Sequence, residues 1–338
     1  MLTRFFHAWE RRLAAVSKDR IVRPFEWGED WIPANGHHGP ASPLDRLRTF
    51  AVEAMRDSDR FYALEPCDDY RLSAGLLSFP SAVVTPHPEN NIVRARLFRS
   101  RGRRASPRRA VVVLPQWNAD PDGHEGLCRW LAHEGLTAVR LSLPYHDERR
   151  PAELTRADYI VSANVGRTLQ VCRQAVLDAR RAIAWLAREG FERIGILGTS
   201  LGSCLSMLTA AHEPLVTAAA LNHVSPYFAD VVWHGLSTAH VRAGLEGRID
   251  LDALRELWLP ISPQPFLHRM RGKATLLVYA RYDLTFPVPL SQALVQGFER
   301  AGAAHEVVAL RCGHYTTGVA PFKWIDGYTL VRFLERSV

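Results

Sequence analysis

Five residues, Gly198-Thr199-Ser200-Leu201-Gly202, set a serine between two glycines, each two positions away. A serine hydroxyl becomes a useful nucleophile only when the chain presents it in the open and a base takes its proton. The apolar run Arg193 to Leu197 precedes these residues, and a helical run of Leu, Ser, Met and Ala follows them. They therefore read as strand, sharp turn and helix. Such a turn presses the backbone on either side of the serine against neighbouring chain, where side chains would not fit, and Gly198 and Gly202 meet that demand. The helix start brings the Leu201 N–H beside the hydroxyl, a donor for charge developing on an attacked carbonyl oxygen. The chemistry this predicts is acyl transfer through Ser200.

A serine of this kind needs a base, and the base needs an acid to orient it. Asp283, in Arg281-Tyr282-Asp283, follows the apolar run Thr275 to Tyr279, and His314, in Cys312-Gly313-His314, follows Val307 to Leu310. Both then stand at the carboxyl ends of strands, with Gly313 expected to allow a tight exit turn. His146 and His223 also follow strands, but neither follows the final one, so they read as pocket or packing residues. Asp326 follows the histidine in the chain and is a poor substitute for Asp283.

Elbow, acid and base together resemble the α/β-hydrolase superfamily over roughly Leu76 to Val338. The chain order Ser, Asp, His is the one that fold uses. The resemblance implies a serine-dependent acyl hydrolase with Ser200, Asp283 and His314 in the triad roles. The helix containing Asp178, Ala182 and Trp185, just before the elbow strand, also resembles the corresponding region of dienelactone-hydrolase and acetyl-esterase relatives. The chain departs from many lipases and esterases at Leu114-Pro115-Gln116-Trp117-Asn118, where they carry a His-Gly pair. Pro115 has no N–H, so the oxyanion donors are expected to be the backbone N–H groups of Leu201 and Trp117, ahead of Gln116.

Tyr145, at a strand end, and Phe228, Trp233 and His234, in an inserted helical segment, are the expected substrate-binding side chains. The expected substrate is a small molecule carrying an acyl group. Esterase, thioesterase, peptidase and carbon–carbon bond hydrolase can all use such a triad; a non-catalytic binding protein of the same fold and a lipase acting at membrane surfaces are the rivals. His37-His38, His124 with Glu125, and Asp120 with Asp122 match no metal-ligand spacing and read as surface polar loops. No metal and no cofactor are expected, since a serine triad needs neither and no phosphate-cradling glycine motif is present.

The elements that must position these residues follow from patterning. The chain has 338 residues, 47% hydrophobic and 23% charged, enough to bury a large core. Continuously apolar runs such as Ala110 to Leu114 suit strands covered on both faces, whereas Ile92 to Phe98 alternates like a half-buried antiparallel strand. Further strands are expected at Thr137 to Leu141, Arg193 to Leu197, Ala218 to Leu221, Ala274 to Tyr279 and Glu306 to Leu310. Helical patterns lie between them, clearest in Asp178 to Glu189, which Gly190 stops. The fold class is therefore α/β, with a mainly parallel sheet of the eight-stranded type and helices on both faces. Residues 1–75 read as an N-terminal helical extension and 76–338 as the hydrolase domain. Within it, 224–272 is a helical lid, with helices at Phe228 to Leu245 and Leu251 to Leu257. In the extension, Leu2, Phe5, Phe6, Trp9 and Leu13 recur at helical spacing as a docking stripe.

The net charge is +7, yet only Lys18, Lys273 and Lys323 are lysines, so the excess is scattered arginine. Its one cluster, Arg99 to Arg109, has no interleaved aromatics and reads as a solvated hairpin loop, not a nucleic-acid site. Five unpatterned cysteines suggest neither disulfides nor zinc. With no integral membrane segment and no signal sequence, a cytoplasmic location is expected.

Overall fold

The computed structural model describes residues 2–17, 19–33, 42–100 and 108–338. The pair His37-His38 and most of the arginine cluster lie outside the described residues. The strands are β1 (Arg71–Ser73), β2 (Leu76–Pro80), β3 (Ile92–Phe98), β4 (Arg109–Leu114), β5 (Thr137–Leu141), β6 (Arg193–Thr199), β7 (Val216–Asn222), β8 (Ala274–Ala280) and β9 (Glu306–Leu310). They form one sheet in the order β1-β2-β3-β5-β4-β6-β7-β8-β9. Pairing is antiparallel from β1 to β5 and parallel from β5 to β9.

Nine strands are described, the seven located in the sequence and two more because Arg71 to Pro80 folds into an edge hairpin. Its turn residues Ala74 and Gly75 both take positive φ, 48° and 81°. The segment joining β3 to β4 is not a hairpin connection: β5 lies between those strands, so the expectation for Arg99 to Arg109 is corrected on topology.

Along β4 the side chains alternate between two cores. Ala110, Val112 and Leu114 belong to one, Val111 and Val113 to the other. This is the two-sided burial that a continuously apolar parallel strand predicts. The N-terminal helices are α1 (Leu2–Ala14), α2 (Pro43–Arg56) and α3 (Ser58–Phe61); then come α4 (Glu125–His133), α5 (Val165–Arg188), α6 (Leu201–His212), α7 (Phe228–His234), α8 (Ala239–Leu245), α9 (Leu251–Leu257), α10 (Val288–Ala301) and α11 (Phe322–Ser337). Helices α5 and α6 cover the first core, and α4, α11 and Phe6 of α1 the second. The predicted stop of α5 appears as Gly190 at φ 87°.

The segment expected as one helix over Phe228 to Leu245 is broken into α7 and α8. A Cβ on Gly235 would fall 2.5 Å from the Val231 carbonyl oxygen and 2.7 Å from that of Thr285. This close approach ends α7, and a short 3-10 turn redirects the chain. In α1 the docking face differs from the expected stripe. Phe6, Glu10 and Ala14 are buried, whereas Leu2 and Phe5 are exposed. Among the described residues no helix is long and apolar enough to cross a membrane.

Candidate active site

Ser200 directly follows β6 and caps α6 with φ 57° and ψ −118°, a conformation that costs an L-residue free energy and persists only where the surroundings enforce it. Enforcement is visible. The Ser200 N–H donates to the Asn222 carbonyl at 2.8 Å, and the Ser203 hydroxyl bridges the carbonyls of Ser200 and His223 at 2.7 and 2.5 Å. A Cβ on Gly198 would lie 2.0 Å from the Gly202 carbonyl oxygen, and one on Gly202 would lie 2.1 Å from that of Leu114. The two glycines are thus required by close backbone approach, as their spacing implied.

Asp283 leaves the end of β8 buried and fully coordinated. Its Oδ1 accepts the N–H groups of Thr285 and Phe286, both at 2.7 Å. Its Oδ2 accepts Nδ1–H of His314 at 3.1 Å and of His223 at 2.9 Å. Burial pushes this carboxyl up, but the two facing imidazoles outweigh burial and hold it well below the usual carboxylate range. His314 stacks on Phe286 with ring planes 5° apart. With Nδ1 committed to Asp283, its Nε2 is left as the basic nitrogen.

His223 is the residue that sequence reasoning undervalued. It sits at the carboxyl end of β7 with φ 60°, its N–H on the Val278 carbonyl, and its ring 4.4 Å from that of His314. Ser200, His223 and His314 line one cavity of about 650 Å³. No hydrogen bond joins either imidazole to Ser200 Oγ; the three side chains share the cavity wall. The ligand atoms of His223, Asp283 and His314 lie within 4.8 Å of one another, a spacing open to a cation; the two hydrogen bonds to Oδ2 by themselves account for the closeness. Gly313 does not take positive φ; a Cβ there would lie 2.4 Å from Glu10 Cδ, so the glycine makes room for α1 and not for an exit turn.

In the loop after β4, Asn118 takes φ 55°. Its N–H donates to His146 Nε2 at 3.0 Å, and its Oδ1 accepts the Ala157 N–H at 2.7 Å. His146 Nδ1 in turn lies 2.9 Å from the Pro144 carbonyl. Burial lowers the His146 pKa to about 4, so the ring is neutral and its Nε2 can accept. Trp117 is pinned by its indole N–H on the Ala157 carbonyl at 2.8 Å. The Leu201 N–H opens α6 and is one of the helix's first-turn donors without an intrahelical acceptor.

The sequence pattern of the dienelactone hydrolase family matches residues 93–314. The chain belongs to that family. It is a hydrolase of the α/β fold. Solved structures similar to this dienelactone hydrolase family member include acetyl xylan esterase 1 from Thermoanaerobacterium sp., with TM-score 0.59, 13% identity, and 89% of this chain and 99% of that chain covered. An esterase of Pyrococcus furiosus follows, at TM-score 0.54 and 15% identity, covering 82% of this chain and 93% of that one. An acylaminoacyl peptidase of Pyrococcus horikoshii matches with TM-score 0.57 and 13% identity, over 83% of this chain and 44% of that one. No curated protein matches the sequence.

In this hydrolase a second, narrow pocket also opens at Ser200, lined by Phe228, Val231, Val232, Phe286 and the Trp117 side. Phe228, one of the expected substrate-binding residues, lines this pocket. Three other expected pocket residues do not. Tyr145 is fully buried and hydrogen-bonds His87 at 3.0 Å. Trp233 and His234 lie outside both cavities, with Arg242 over the Trp233 ring and His234 exposed. Each sits on an element that reaches the site, but its helical or turn phase points it elsewhere.

His124 and Glu125 are not a surface polar loop. His124 Nε2 lies 3.0 Å from Thr199 Oγ1 on the wall of the larger cavity, and burial lowers its pKa to about 4. Glu125 is buried and pairs with Arg96 and Arg129.

Proposed function

We propose that the chain is a serine esterase acting through a Ser200, His314 and Asp283 triad and an acyl-enzyme intermediate. His314 takes the Ser200 proton through Nε2 as the hydroxyl attacks an ester carbonyl, Asp283 fixes the imidazole, and the Leu201 and Trp117 N–H groups receive the oxyanion. The imidazolium then gives that proton to the departing alcohol as the ester C–O bond breaks and the acyl group stays on Ser200; water activated by the freed imidazole attacks the acyl carbonyl, the serine recovers its proton, and the acid is released. The observation that carries this reading is the conjunction of a strained serine at a strand-to-helix turn with a carboxylate-bound imidazole on the same cavity.

The two openings at Ser200 suggest a division of substrate. The narrow apolar pocket beside Phe228 suits a short acyl chain, and the broad, more polar cavity suits the alcohol part. Residues 224–272 then act as a lid over the acyl side, with residues 1–75 as the extension that braces the 76–338 domain. The five free thiols are in keeping with a cytoplasmic location.

The His223 to Asp283 hydrogen bond favours one second reading, in which His223 is the base. His314 is preferred because its side chain is 13% exposed toward the cavity side against 2% for His223. Ser200→Ala is expected to lower hydrolysis of a chromogenic ester by roughly 10⁴-fold or more and to abolish labelling by a fluorophosphonate probe. His314→Asn should cost about as much, and His223→Asn about 10- to 100-fold. The reverse ranking of the two histidines would transfer the base role to His223. An unlabelled wild-type chain would favour the non-catalytic binding protein, and a matched panel of thioesters and peptide amides separates the remaining acyl hydrolases.

A further inference from the structure

Helix α1 lies before the region the family pattern covers, yet it reaches the loop of the proposed base. Its Glu10 side chain is wholly buried. Glu10 Oε2 accepts the Tyr315 N–H at 2.9 Å and Oε1 accepts the Thr316 N–H at 2.8 Å, the two backbone donors directly after His314. On the other side of His314, Gly313 leaves the space that the Glu10 side chain fills. One turn earlier, Phe6 stacks on Tyr282 at 4.5 Å with ring planes 4° apart. Tyr282 precedes Asp283, and its N–H donates to the Cys312 carbonyl at 3.0 Å.

A buried carboxylate is costly unless its oxygens are satisfied by donors. Here those donors are main-chain N–H groups of the histidine loop, so the energy that satisfies Glu10 also fixes where that loop runs. Its other described polar ties to the rest of the fold are Asp283 on His314 Nδ1, the Tyr282 N–H on the Cys312 carbonyl and Arg20 on the Tyr315 hydroxyl at 2.7 Å; within the loop the Gly313 N–H donates to Thr316 Oγ1 and the Thr317 hydroxyl to the Gly313 carbonyl.

We propose that Glu10 is a positioning residue of the active site, which from a helix outside the family region sets the backbone of the loop that presents His314 to Ser200. The inference rests on the reading of His314 as base. A loop released by even about 1 Å would cost on the order of 10²-fold in rate while leaving intact the narrow acyl pocket, which that loop does not line.

The test compares Glu10→Ala, Glu10→Met and Glu10→Gln in the full chain, with Ser200→Ala and His314→Asn alongside. The readouts are kcat, KM, fluorophosphonate labelling rate and melting temperature. Glu10→Met keeps the volume without acceptors, and Glu10→Gln keeps one acceptor. The expected result is a fall of about 30- to 100-fold in kcat and labelling rate for the Ala and Met variants, with KM within about threefold. Glu10→Gln should lie between them and wild type, all measured well below each variant's melting temperature. Unchanged kcat in folded Glu10→Met, with only the melting temperature lowered, would overturn the proposal and leave Glu10 a packing residue. Retained turnover in Ser200→Ala or His314→Asn would overturn the triad itself, an outcome the Glu10 series does not produce.

Discussion

Asn222 accepts the Ser200 N–H on its carbonyl and turns its side chain to Asp326, with Nδ2 donating to Oδ2 at 2.8 Å. The other oxygens of that pair, Asn222 Oδ1 and Asp326 Oδ1, are buried without a donor. Burial raises the Asp326 carboxyl from its ordinary 3.8 to about 6. Because the folded value is the higher one, the folded protein binds more protons than the unfolded chain between about pH 4 and 6. This contribution is therefore full below that window and lost as pH rises through it, by up to about 3 kcal/mol. Asp326→Asn mimics the protonated acid at every pH. It should melt with the wild type near pH 4.5 and above it at pH 8; parallel melting curves at both values would refute the protonated pair. None of this was visible in the sequence, where Asp326 registered only as a poor substitute acid. The same is true of Glu10 and His223. Their roles depend on partners 305 and 306, and 60, residues away, and contacts at such separation leave no periodic trace in the chain.

At the scale of elements, the strands expected at Ile92 to Phe98, Thr137 to Leu141 and Glu306 to Leu310 coincide with β3, β5 and β9, because apolar runs and alternation are local signals that burial rewards directly. The edge hairpin at β1 and β2 escaped notice, being short, with β1 wholly exposed and so without a hydrophobic pattern. The turn from β6 to α6 was legible because its glycines answer a steric demand that recurs wherever a serine is presented this way. That demand is testable. Gly202→Ala would drive a methyl into the Leu114 carbonyl, 2.1 Å away, and into that of Pro115 at 2.6 Å, backbone that cannot rotate aside. We expect a loss of roughly 1–3 kcal/mol in denaturant melts and about 10²-fold in kcat, since the oxyanion loop and the start of α6 are forced apart together. A variant that loses stability but keeps wild-type kcat would show that the two proposed oxyanion donors are positioned independently of this contact.

For the molecule as a whole, the antiparallel edge and the helical layer are joined by a buried ion pair. Arg149 and Asp178, both with 0% side-chain exposure, meet at 2.8 Å. Arg149 also donates to the carbonyls of Asn90 and Ser142, both within 3.0 Å. Asp178, on α5, accepts Ser81 Oγ at 2.8 Å and the Ala82 N–H at 3.2 Å. The loop after β2, the turn before β3, the end of β5 and α5 thus converge on two charges that have no access to water. Removing one charge strands the other in the interior, so Asp178→Ala should cost about 3–5 kcal/mol, more than an exposed pair could contribute. Replacing both, as Arg149→Met with Asp178→Leu, removes the stranded charge and should recover part of that loss, although the carbonyls of Asn90 and Ser142 would then lack their donor. Neither residue lines the cavities at Ser200, so labelling by a fluorophosphonate, normalised to the folded fraction, should match the wild type in both variants. A single variant that melts within 1 kcal/mol of wild type, by equilibrium denaturation, would mean that water reaches the pair and that the two layers are held together by apolar packing alone.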